Sequence, residues 1–322
     1  VRCRFLTVMA ASLWLNNPAV ALEGPTVAGP IGGSDMSSAV LPPPGLYGGL
    51  FAAASGTLDF HDGEGHTVPA LRDAHLRKQQ FGPFFLYVPD VKVLGGAVGV
   101  SGFVAAGNQC GSLFIGQDNE CEQGLGDPYL EVDWSRSFGF VRPSRDPGAY
   151  PILQGLSVLF GFGTVFPSGT YDDDDRLEQV LSMGTNIWDF ALTVALTYTT
   201  APILAEGTEF SAKLYWNQYL ENPASHHWTG DVMNVDFAIT EHIGRFQVGV
   251  SGFYGWQADD DELFGVPIEP DGLRATALVL GPVVKYDLPE YSSVLKAKFQ
   301  TNAIATNATP AWVTVVAWSK KF

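Results

Sequence analysis

Six charged residues sit where alternating sequence would turn them toward one side: Glu131, Asp133, Asp189 and Asp236 offer carboxylates, Lys213 and Lys285 offer ammonium groups. Two readings stay open. The charges pair across neighbouring strands and hold a lumen together, or they line a polar conduit whose opposing signs select solutes. Neither is catalysis. Of the six histidines (His61, His66, His75, His226, His227, His242) only His226 and His227 are adjacent, in an Asn/Pro/Ser-rich turn before Trp228. No further ligand stands at zinc spacing. Ser225-His226 cannot serve as the Ser–His pair of a membrane-edge lipid hydrolase, because neighbours on a strand point to opposite faces. The Gly-rich string Gly45-Leu46-Tyr47-Gly48-Gly49 precedes no helix and so is no phosphate loop. No cofactor is implied.

Cys110 and Cys121 bracket a short polar segment between two strand-like stretches. In an exported chain, so close a pair predicts a loop disulfide, worth about 2–3 kcal/mol in the chain-entropy model. A metal or redox role has no C-x-x-C motif or nearby histidine to support it. Asp172 to Asp175 and Asp259 to Glu262 form acidic runs, each followed by apolar, strand-like sequence. They read as solvated loops. Neither has the glycine and spacing of an EF-hand loop, so no metal ligands follow.

The elements that would carry these residues alternate with a period of two. From Ile187 to Thr199, Trp188, Phe190, Leu192, Val194, Leu196 and Tyr198 share one face, and Asp189, Ala191, Thr193, Ala195 and Thr197 the other. So long an alternation marks a strand, not a helix. Stretches around 210–217, 233–240 and 246–257 repeat it, and weaker ones are readable at 46–60, 74–89, 92–107, 128–142, 152–166, 274–287, 293–304 and 310–322. The count is twelve, with ten or fourteen open. Several strands reach ten residues, against the usual five or six, and carry aromatics near their ends. That favours an all-β transmembrane antiparallel barrel, a closed up-and-down meander, over a soluble sandwich. Trp188, Tyr198, Trp216, Trp256 and Trp318 are then the lipid-facing girdle residues. Polar connections near 60–72, 108–127, 168–186 and 257–273 fall to the extracellular side. Small inner residues (Ala191, Ala195, Gly249, Ser251) would leave open volume in a barrel of this width.

Both ends of the chain fit an outer membrane. Arg2 and Arg4, the apolar run Phe5–Leu15 and Ala19-Val20-Ala21 read as a signal peptide over residues 1–21, cleaved before Leu22. Residues 22–44, rich in Gly, Pro and Ser, read as a linker or plug ahead of a barrel over 45–322. The last strand ends on Phe322, where outer-membrane barrels carry an aromatic assembly signal, although Lys320 interrupts the apolar face. Aromatic residues make up 12% of the chain and charged ones 16%, below the ~25% usual for soluble domains. After cleavage 16 basic residues face 34 acidic ones, a net of −18. No basic stripe exists, which excludes nucleic acid as a partner.

Asp35-Met36 with Leu41-Pro42-Pro43-Pro44-Gly45-Leu46-Tyr47 resembles the opening of the outer-membrane proteins of the MetA-pathway (meta-pathway) phenol-degradation family. Pro167-Ser168-Gly169-Thr170-Tyr171 is similar to its mid-chain P-x-G-x-Y turn, followed by Asn186-Ile187-Trp188. Gly230-Asp231, Gly255-Trp256-Gln257 and Gly281-Pro282 extend the likeness over residues 35–322. The resemblance implies an outer-membrane barrel of a Gram-negative bacterium, and passive uptake of small hydrophobic or aromatic solutes. Its further partners would be outer-membrane lipid, lipopolysaccharide and the barrel assembly machinery. It brings no catalytic residues, so the chain is read as no enzyme. A structural or adhesive barrel working through acidic loops, and an outer-leaflet lipid-modifying enzyme, are the alternatives. Residues 35–45 are expected to enter the lumen as a plug or lateral gate.

Overall fold

Period-two sequence with bulky apolar residues on one face leaves the backbone one arrangement in hydrocarbon: every strand paired on both sides, with no edge. The computed structural model describes residues 34–71, 74–113, 116–174, 176–269 and 272–322. The predicted signal peptide lies outside them. Twelve antiparallel strands form the wall. They are β1 Gly45–Leu58, β2 His75–Val88, β3 Gly96–Phe103 continued by Ala106–Ser112, and β4 Glu120–Leu125 continued by Tyr129–Arg142. Then come β5 Ile152–Val165, β6 Asp189–Thr199, β7 Thr208–Tyr219, β8 Val232–Ile243 and β9 Phe246–Gln257. The last three are β10 Thr276–Leu288, β11 Ser293–Thr306 and β12 Ala311–Lys321. Each pairs with the next, and β12 closes on β1 with Leu50 opposite Trp318. Among the described residues the barrel wall has no free edge to template aggregation.

Two sequence expectations need correction. Residues 108–127 are not a long connection, because β3 and β4 extend past the break and pair through Cys110 and Cys121. Polar outward residues such as Asn108 and Gln123 hid those strands by mimicking a loop. Along β2 the register of β3 runs unbroken through Val104-Ala105, with Phe84 opposite Phe103 and Phe81 opposite Ala106. Against β4 it slips by one between Phe103–Tyr129 and Ala106–Leu125. Gly126 and Pro128 stand at that slip, where proline's missing N–H is tolerated. The acidic run at 172–175 leads into a short helix, α1 Arg176–Leu181, instead of a strand.

Loop lengths orient the barrel. Gly244-Arg245 joins β8 to β9 and residues 289–292 join β10 to β11, whereas 59–74, 166–188 and 258–275 are long. Short turns belong to the periplasmic side. The outer face is apolar and open to its surroundings: Leu196 is 51% exposed and Phe162 50%, while the inward neighbour Ala195 is 0% exposed. A soluble fold would hide that face.

Candidate functional site

The lumen is layered from outside to inside. At the extracellular end lies a vestibule of about 460 Å³, walled by Leu71, Leu113, Ile187, Phe253, Val279 and Val313 among others. Helix α1 lies over one side of the lumen, its Leu177 and Leu181 packed with Leu113 and Leu76. The Gln109 side chain donates to the Val180 carbonyl at 2.8 Å.

Beneath the vestibule comes an arc of aromatic residues along one side of the lumen. Phe51 meets Phe103 edge-on at 5.9 Å between centroids, and Phe103 meets Tyr129 at 5.6 Å. Tyr129 packs with Ala191 and Tyr215. Next comes a buried charge cluster. Lys213 donates to both Glu131 carboxylate oxygens at 2.7 and 2.8 Å and lies 3.8 Å from Asp133. Thr193 donates to Glu131 at 2.8 Å, and the Lys213 ammonium sits 5.0 Å over the Tyr215 ring. These groups meet because β4, β6 and β7 each turn every second residue inward.

The described part of the N-terminal segment lies across the lumen below. Ser34 bonds Asp236 and the Tyr215 hydroxyl. Asp35, 0% exposed, pairs with Lys296 and with Lys298, the latter at 3.3 Å. Ser37 donates to Glu209 through its N–H and its hydroxyl, both at 2.8 Å. The Ala39 N–H donates to Thr197 at 3.0 Å, and its carbonyl accepts from Ser135. Ala39 packs on Leu159 and Ala195. The expected open volume beside Ala195 is therefore filled: small side chains there make room for this segment.

Of the six charges read from sequence, Glu131, Asp133 and Lys213 meet, and Asp236 holds Ser34. Lys285 lies nearer the periplasmic end, 3.8 Å from Asp287. Asp189 is buried at the vestibule end, and its carboxylate has no hydrogen-bond partner among the described residues. Cys110 and Cys121 form a cross-strand disulfide on the extracellular extension of β3 and β4. Trp188, Tyr198, Trp216 and Trp318 are exposed on the outer face, and Trp256 joins them beside Tyr254 at 5.3 Å. Phe322 follows β12 at the periplasmic end, its N–H bonded to the Leu46 carbonyl. His226 bonds Glu221, and Ser225 accepts only the His227 backbone N–H among the described residues, so no Ser–His couple forms.

Sequence reasoning passed over Lys296, Lys298 and Glu209. A signal for the lysines existed, since Lys296, Lys298, Gln300 and Asn302 share a face of β11 opposite Leu295, Ala297 and Phe299.

The periplasmic rim is tied together by Glu206. Its carboxylate accepts from Ser144, from the Arg145 N–H and from the Gly244 N–H at 2.8–2.9 Å. Burial pushes this carboxyl up, but those bonds, with Arg142 nearby, hold it below the usual carboxylate range.

A closed wall with an apolar outer band, aromatic residues towards both ends and a charged interior defines a transmembrane β-barrel of the outer-membrane class. Within that class the chain belongs to the family described as "Putative MetA-pathway of phenol degradation", whose model matches residues 57–312. The COG4313 outer membrane channel from Pseudomonas putida F1 shares its fold at TM-score 0.72 and 14% identity, over 89% of this chain and 99% of that one. The β domain of the Bordetella autotransporter BrkA (TM-score 0.46, 12% identity, 85% and 99% covered) is more distant. So is a deltaS2 mutant of the TodX monoaromatic hydrocarbon channel (TM-score 0.40, 12% identity, 89% and 93% covered). No curated protein sequence matches the chain.

Proposed function

We propose that this barrel mediates passive uptake of small hydrophobic or aromatic solutes across the outer membrane of a Gram-negative bacterium. The observation that carries the reading is the vestibule, an apolar chamber of about 460 Å³ beneath the extracellular loops. Such a volume suits one small molecule, and a hydrophilic solute would gain little from its walls. Membership of a family whose description refers to phenol degradation accords with it. Residues 1–21 direct export and Phe322 engages the barrel assembly machinery in this reading, while residues 34–44 act as a luminal plug. Lipopolysaccharide and outer-membrane lipid surround the exposed apolar band.

The test is entry of a phenolic or alkylbenzene into liposomes carrying the purified protein. Faster entry than into empty liposomes supports the reading, and equal rates sink it. The occupied lumen favours a second reading, a closed structural barrel acting through its acidic loops. Deleting 168–186 would then abolish loop-mediated binding and leave solute flux untouched.

A further inference from the structure

Five lysines face the lumen along β2, β7, β10 and β11, and four of them have carboxylate partners. Lys213 has Glu131, Lys285 has Asp287, and Lys296 and Lys298 share Asp35. The fifth, Lys78, differs. It projects from β2 between Ser55 of β1 and Gln109 of β3, and it lines the vestibule. No carboxylate lies within ion-pair distance of it among the described residues. Asp127 is the acid whose charge acts on it. That carboxylate is engaged elsewhere, accepting from the Gly169 and Thr185 N–H groups and the Thr185 hydroxyl at 2.7–2.8 Å.

An ammonium against apolar walls, without a counter-ion, is costly to keep. A ligand that brings its own negative charge removes that cost while its hydrophobic body covers the walls. The other charge of the chamber, Asp59, follows the last residue of β1, whereas Lys78 stands opposite Ser55, four residues or roughly 13 Å further along an extended strand. A molecule entering with its acid group foremost would pass the rim and meet the cation beneath it. The flanking Gln109 side chain is fixed by its bond to Val180, and its carbonyl oxygen has no partner among the described residues, which suits a ligand carrying a hydroxyl donor beside its acid.

We propose that the vestibule binds amphiphilic carboxylates, aryl acids above all, with the carboxylate paired to Lys78. This rests on the uptake reading and narrows its substrate class from neutral hydrophobic solutes to their acids. The chemistry needs only the ionised ligand and the ammonium, with no cofactor.

The test is equilibrium binding to the full chain in lipid nanodiscs at pH 8, with 1-naphthoate and its neutral counterpart 1-naphthalenemethanol as fluorescent probes against empty nanodiscs. The wild type should bind naphthoate about tenfold or more tighter than the alcohol, the equivalent of one modest ion pair. Lys78→Met should lose that factor for naphthoate and leave the alcohol unchanged. Lys78→Arg, which keeps the charge, should retain naphthoate binding and guards against a folding defect in the first variant. The proposal is overturned if naphthoate binds no tighter than the alcohol, or if folded Lys78→Met loses neither probe or both equally. Liposome entry of the alcohol separates the two claims. Entry without any Lys78 preference leaves uptake standing and removes the acid specificity, whereas entry of neither probe removes uptake itself.

Discussion

Replacing Lys213 by Met tests whether the middle of the lumen is dry. The ammonium, 4% exposed, is held by Glu131 at 2.7 and 2.8 Å and lies 3.8 Å from Asp133, and those acids are themselves 4% and 5% exposed. Methionine matches the stem but removes the charge. Two carboxylates then stay buried with one hydroxyl donor between them, that of Thr193. Breaking a buried pair in this way costs about 3–5 kcal/mol, chiefly because the remaining charge is uncompensated. The double variant Lys213→Met/Glu131→Gln should recover part of the loss, giving a coupling of about 2 kcal/mol in a double-mutant cycle. Urea unfolding of the reconstituted barrel, followed by tryptophan fluorescence, reads both numbers. A loss below about 1 kcal/mol for Lys213→Met, the value of an exposed pair, would refute the reasoning. It would mean that water reaches Lys213 and that no seal divides vestibule from periplasm.

Three further outcomes follow from the same geometry. Asp35→Asn should raise single-channel conductance in a planar bilayer, because Lys296 and Lys298 lose the carboxylate that anchors the N-terminal segment; unchanged conductance would detach that segment from gating. Reducing the Cys110–Cys121 bond, or Cys110→Ser, should destabilise the β3–β4 extension by about 3 kcal/mol for a link spanning eleven residues, read as faster hydrogen exchange confined to that hairpin. At the periplasmic rim Glu206→Gln should lower stability at pH 7 by about 1.5–3 kcal/mol, the range for hydrogen bonds to a charged group. The folded-state carboxyl is held down, so its contribution is complete above the unfolded value and lost as pH falls through the folded one. The gap between wild type and variant should therefore close in acid, and a gap independent of pH would contradict the charge-based account.

The barrel was legible because hydrocarbon demands one thing of a strand, a bulky residue at every second place. Ile187–Thr199 shows that pattern without interruption, and Phe246–Gln257 breaks it only at Gly252. Legibility failed where the solvent changed. Above the slip between β3 and β4 the outward residues Asn108 and Gln123 no longer face lipid, and their strands read as loop. Within the lumen, local alternation shows that Glu131, Asp133 and Lys213 turn inward but not that they meet, since their sequence distance carries no register. Asp35 was harder still. It belongs to no periodic element, and its partners Lys296 and Lys298 lie 261 and 263 residues away, joined only when β12 closes on β1.

The N-terminal segment also explains how a filled lumen could still conduct without an energy source. Ordering the eight residues Ser34–Leu41 costs about 1–2 kcal/mol each in backbone entropy, or roughly 8–16 kcal/mol. Against this stand nine hydrogen bonds to the wall: five between neutral groups of Ser34, Ser38 and Ala39 and the wall, at about 1 kcal/mol each, and four from Ser34 and Ser37 to the Asp236 and Glu209 carboxylates, at about 2 kcal/mol each. The two lysine bonds to Asp35 add about 2 kcal/mol each. The total, about 17 kcal/mol, lies close to the upper end of the cost of ordering, and the packing of Ala39 on Leu159 and Ala195 adds little more. A segment so nearly balanced is held by its strongest link. Loosening the Asp35 pair by a few kcal/mol, whether by substitution or by a solute that perturbs β11, shifts the segment from mostly seated to mostly released. An uncharged hydrogen bond elsewhere along it can be lost with far less effect on flux.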